Sequence, residues 1–156
     1  MSDATIRQGL GDFSSIVCFR SIVTGLEKVM GKDAARGNLI RAGRLRGIEI
    51  IKSLGLSNTD KPIAEWSTLV ENAIGKNGTR LCTIAKIEEN AGVYRVFLSD
   101  TICSANEEIG SERQLSFTQG AIQGALEEVT GHRLSGEQTG SILRGDDYDI
   151  ADFKVR

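Results

Sequence analysis

A chain of 156 residues, 40% hydrophobic and 26% charged, has material for one globular domain with a sizeable core and little left for a second. Its formal net charge of −2 comes without a clustered basic excess, which argues against nucleic acid as a partner. No segment reaches the roughly 18 uncharged apolar residues a membrane helix needs, and no basic stretch followed by an apolar run opens the chain, so no membrane span is expected.

Cys18, Cys82 and Cys103 are odd in number and widely spaced, as reduced thiols are, and they point to a reducing, cytoplasmic setting. With one proline, Pro62, and no Ser/Gly or single-charge tract, nothing reads as a linker, so residues 1–156 are expected to form a single domain.

In chain order, helices come first. Ile16, Phe19, Val23, Leu26 and Met30 share one helical face, and Gly31 ends that helix. Asp33 is the expected cap of a long second helix, whose inner face runs Ala35, Leu39, Gly43, Gly47, Ile50 and Leu54 before Gly55 stops it. Pro62 opens a third helix with Ile63, Trp66, Leu69, Val70 and Ile74 inward.

The period then changes. Two β-rich runs, Arg80 to Glu88 and Val93 to Ser99, flank Glu-Asn-Ala-Gly, the residues of a tight hairpin turn. A polar, irregular stretch leads to a fourth helix, with Ser116 as its expected cap and Leu115, Ile122, Leu126 and Val129 at helical spacing. His132 to Arg144 and Tyr148 to Val155 read as two further strands turned at Gly-Asp-Asp. Helices packed around an antiparallel sheet of about four strands make an α+β domain.

Four glycines conflict with the helices that hold them. Gly43 and Gly47, like Gly120 and Gly124, lie one turn apart on the apolar stripe, where each costs about 1 kcal/mol relative to alanine. Such positions let a backbone approach either a neighbouring helix or a ligand closely, with helix packing the favoured alternative.

Taken together, Val-Thr-Gly-Leu-Glu-Lys-Val-Met-Gly, then Leu-Ile-Arg-Ala-Gly-Arg-Leu-Arg-Gly, then Phe117 to Gly131, then Glu137 in a strand and a terminal Gly145 to Val155 resemble the 4-vinyl reductase domain, which is related to core subunits of the TRAPP vesicle-tethering complex. The resemblance spans nearly the whole chain and is most specific over its last forty or so residues. It implies an α+β fold that commonly dimerises and encloses an apolar cavity for hydrocarbons, acyl chains or aromatic effectors. Candidate ligand-binding residues are then Gly43, Gly47, Trp66, Phe97, Phe117, Gly120, Gly124 and Glu137. Many members carry cysteines before the final helix, after the glutamate and after the Gly-Asp turn. Here the matching positions hold Leu115, Gly140 or Ser141, and Asp149, so no metal or thiol chemistry is carried over.

Catalytic signals are weak. No Gly-x-Gly-x-x-Gly follows a strand to hold a nicotinamide, and Gly-Leu-Gly-Asp-Phe near the start lacks the preceding strand. His132, the sole histidine, reads as a helix-end residue, and Gly145 to Asp149 as a solvated turn. Arg36, Arg41, Arg44 and Arg46 read as a solvated helix face. Glu137 is open between an inward role, with a partner, and solvent.

The expected function is non-catalytic binding of an apolar small molecule by a homodimeric sensor or carrier, with no cofactor. The alternative is a TRAPP-subunit-like scaffold that pairs with another protein and fills its cavity with side chains. An enzyme of tetrapyrrole metabolism ranks third.

Overall fold

The computed structural model describes residues 15–156, so the opening Gly-Leu-Gly-Asp-Phe lies outside the described residues. Helix α1 spans Ile16–Met30, and Gly31 ends it at φ +85°, donating its amide to the Glu27 carbonyl. The same glycine is the N-cap of α2, Lys32–Ser53. That helix therefore starts before Asp33, which sits in its first turn and makes no side-chain cap; there its charge still favours the helix dipole. Helix α3, Ile63–Ile74, follows Pro62 as expected.

Strand β1, Thr83–Asn90, begins three residues later than Arg80. Arg80 is held at φ +56°, and Leu81 donates to the Ile74 carbonyl, so these residues finish α3 before the chain extends. Strand β2 is Val93–Ser99, and Ala91 and Gly92 between the two strands have φ +50° and +77°, the pair of positive values a two-residue hairpin turn needs. Helix α4, Phe117–Thr130, ends at left-handed Gly131. Ser116 precedes it but makes no cap bond; its hydroxyl turns instead toward Cys103 Sγ, 3.7 Å away.

Strand β3, Leu134–Gly140, is shorter than the run to Arg144, because two carboxylates capture the next amides: Ser141 N–H donates to Asp146 and Ile142 N–H to Asp149. A 3-10 turn, Ile142–Arg144, then leads to β4, Asp149–Val155. The expected solvated turn is thus only partly so. Asp149 is fully buried and also accepts from the Thr101 and Ser104 hydroxyls, tying the irregular segment after β2 to the sheet.

The four strands form one antiparallel sheet in the order β1-β2-β4-β3, with irregular register at Ile84/Lys86 in β1 and Gln138/Gly140 in β3. One face is apolar: Val96, Leu98, Leu134, Ala151 and Phe153 are buried against Ile122, Leu126 and Val129 of α4, Trp66, Val70 and Ile74 of α3, and Ile50 and Ile51 of α2. The opposite face carries Lys86, Glu88, Arg95, Glu137 and Lys154, all exposed. This is the α+β architecture expected, with the helices on one side of the sheet.

Candidate functional site

The glycines lie where α2 crosses α4. A Cβ built on Gly43 would sit 2.0 Å from the Phe117 carbonyl oxygen, and one on Gly47 2.0 Å from that of Ala121. The reverse holds across the seam: Gly120 would meet the Ile40 oxygen and Gly124 the Arg44 oxygen, both at 2.0 Å. Each helix thus presents bare Cα hydrogens to the other's carbonyls, an arrangement in which weak C–H···O contacts replace side-chain packing. The space beside all four glycines is filled by backbone, which leaves no room for a ligand between these helices. A helix accepts the glycines because close packing returns more than the lost propensity.

The aromatic candidates are dispersed. Trp66 is 4% exposed in the core under α3. Phe117 opens α4 and packs edge-on against Phe19 of α1, ring centres 5.9 Å apart. Phe97, another of the ligand-binding candidates, lies on the outer face of the sheet, edge-on to Tyr148 at 5.9 Å and under Lys86 Nζ at 4.4 Å. Glu137 also faces outward, exposed, opposite Asp152 in the β3/β4 register. These candidates thus occupy separate places in the fold: the α2/α4 seam, the core and the outer face of the sheet.

A cleft of about 620 Å³ opens elsewhere, between α1, the first turns of α2 and the 111–116 segment. Val23 and Leu39 supply its apolar wall, and Glu27, Lys32, Asp33, Arg36, Glu112, Arg113, Ser116 and Arg144 its polar one. None of the eight sequence candidates lines it. Signals that could have found it were present but unconnected: Arg36 sits on the buried flank of α2 beside Leu39, and Arg113 within a segment otherwise read as irregular.

Two of the arginines assigned to a solvated face are structural. Arg44 pairs with Glu127, which is 9% exposed and also accepts from the Leu134 amide, locking α2, α4 and β3 together. Arg36 is half-buried, donating from Nε to the Leu115 carbonyl at 3.0 Å and from Nη2 to Gln119 Oε1 at 2.8 Å. Burial lowers its pKa, an effect only partly offset by Cys103 and Asp33 nearby. Arg113 is paired with Glu27 of α1 and with Glu107 at 3.1 Å, closing one end of the cleft. Arg144 donates to the carbonyls of Ser111 and Arg113, at 3.3 and 3.1 Å.

All three cysteines are free: Cys18 is exposed, Cys82 and Cys103 are buried. Among the described residues no three His, Cys, Asp or Glu side chains gather as a metal set, and no helix is long and apolar enough to cross a membrane. His132 follows Gly131 on the surface, its backbone amide bonded to the Thr130 hydroxyl at 3.3 Å.

No protein-family model matches the sequence, and no curated protein matches it. Among solved structures, the chain is similar to the phenol-responsive sensory domain of the transcription activator PoxR, determined with phenol, at 15% identity and a TM-score of 0.54 over 91% of this chain and 75% of that one. It is also similar to a trafficking protein particle complex subunit 3 from Naegleria fowleri, covalently bound to palmitic acid, at 19% identity and a TM-score of 0.58 over 90% of this chain and 92% of that one. At such identities the likeness is one of fold. It agrees with the α+β arrangement that the 4-vinyl reductase and TRAPP resemblance implies.

Proposed function

We propose that this chain is a single 4-vinyl-reductase-like domain that binds a small molecule with an apolar body, such as an acyl chain or an aromatic ring, and works as a sensor or carrier without catalysis. The observation that carries this reading is the cleft of about 620 Å³, a volume within the range of roughly 300–1,000 Å³ typical of small-molecule sites. Its walls are built from two helices and a loop, so occupancy of the cleft could be relayed to a partner through α1. Two solved proteins of the same fold, one with phenol and one with palmitic acid, support the same reading. A cytoplasmic protein is in keeping with three free thiols.

Native mass spectrometry of freshly purified protein tests it, together with thermal shifts on adding phenol or palmitate. Co-purified ligand mass or a concentration-dependent rise in melting temperature is the expected result. Unliganded protein that neither compound stabilises would refute the binding-module reading.

The second reading, an assembly subunit, is favoured by α1. Val17, Ile22 and Val29 on that helix are 65%, 56% and 83% exposed, and Leu45 on α2 is 65% exposed, so the helical side offers apolar surface for a second copy or a TRAPP-like partner. We propose a homodimer through this side. Sedimentation should give a dimer, and Val29→Glu a monomer; a wild-type monomer at micromolar concentration would count against it.

A further inference from the structure

The cationic groups of the cleft are not alike. Arg113 is neutralised by Glu27 and Glu107, so it serves as a strut. Arg36 and Arg144, by contrast, bond only to neutral acceptors, two backbone carbonyls in one case and a carbonyl and an amide in the other. Among the described residues no carboxylate lies within 4.0 Å of either guanidinium. A guanidinium has five N–H donors, and both Nη1 hydrogens of Arg36 and the Nε and Nη2 hydrogens of Arg144 remain unused by any described residue.

Taking the Arg36 charge partly out of water costs free energy that Cys103 and Asp33 nearby offset only in part, and no carboxylate forms an ion pair with it. Lys32 adds a third cation at the rim. Asp33 and Glu112 are the opposing charges, and both are exposed, where solvent screens them. Val23 and Leu39 complete the lining with apolar surface.

Resting on the binding-module reading above, we propose that the cleft is specific for an organic acid, whose carboxylate is held by Arg36 and Arg144 while its apolar body lies against Val23 and Leu39. The two guanidiniums supply the paired donors that a planar carboxylate accepts, and Leu115 and Gln119 fix the first of them in place.

Matched probes test this: octanoate against octanol, and phenylacetate against phenylethanol, titrated by calorimetry into the full chain. In the wild type at least one acid should bind about tenfold or more tighter than its alcohol, with a preference that shrinks as salt rises. Arg144→Gln, at an exposed side chain, should remove most of that preference by weakening the acid far more than the alcohol. Arg36→Lys, which keeps the charge but loses the planar fork, should do likewise. The Arg36 Nε–H resonance should move on adding the acid, a readout that needs no variant. Equal binding of acid and alcohol would overturn the anion assignment and leave the binding-module reading standing, as would an acid preference that survives both substitutions. Failure of all four probes to bind would overturn both.

Discussion

Gly124→Ala isolates the α2/α4 seam with a single methyl group. The new Cβ would lie 2.0 Å from the Arg44 carbonyl oxygen and 2.8 Å from its carbon, both backbone atoms that no rotamer change can move. Restoring ordinary contact needs a shift of roughly 1.4 Å between two helices that the other three glycines also hold together. Overpacking of this kind costs about 1–3 kcal/mol or more, against a gain of about 1 kcal/mol in helix propensity. A net loss of about 2 kcal/mol is expected, because separating the helices also loosens Ile122 and Leu126 from the core. Gly37→Ala is the internal control: it lies in α2 with nothing within 4 Å, so it should stabilise by about 0.5–1 kcal/mol. Urea unfolding followed by far-UV circular dichroism compares the two. Gly124→Ala as stable as Gly37→Ala would refute the close-contact account of the seam.

Three further outcomes follow from contacts elsewhere. Glu127→Ala should cost about 2 kcal/mol or more, since it strands the Leu134 amide and the Arg44 guanidinium together; denaturant midpoints measure it. Ala91→Gly should raise stability by about 0.5–1 kcal/mol in the same assay, because Ala91 holds φ +50° at a turn position suited to glycine. Burial, aided by Glu71, Cys103 and Asp149, pushes the Cys82 thiol well above its ordinary value of 9.0, so the native chain keeps a proton that the unfolded chain releases. Its contribution is undiminished below about pH 9 and declines above it by up to about 1.4 kcal/mol per pH unit, a slope that should flatten in Cys82→Ala.

Helices and hairpin were legible because their signals are local. Gly31, Pro62 and Gly131 punctuate the chain where the helices end or begin, and Ala91-Gly92 turns the hairpin. The glycine pairs were legible as close-approach positions, although their mutual contact joins residues about 80 apart and only the fold reveals it. Parity held more than was taken from it. In β2, Phe97 shares its face with Arg95, while Val96 and Leu98 alternate onto the other, and in β3 counting from buried Leu134 sets Glu137 outward. The cleft was illegible. Its walls come from α1, α2 and the irregular segment before α4, whose placement depends on Arg113 meeting Glu27 and on Arg36 bonding to Leu115, contacts between residues 79 or more apart.

The two outer strands bear on how copies of this chain can meet. A sheet edge invites another chain to extend it, and β1 and β3 are the two edges, where side chains already take the Ile84 amide of β1 and the Leu134 amide and carbonyl and the Gly136 carbonyl of β3. Each is blunted: β1 is kinked between Ile84 and Lys86 and carries Lys86, Glu88 and Glu89, while β3 is kinked between Gln138 and Gly140 and is polar from Ser135 to Thr139. Strand addition is therefore disfavoured at both ends, as is the runaway stacking that it can start. The proposed homodimer would then form through the helical side, where a closed pair ends growth after one partner.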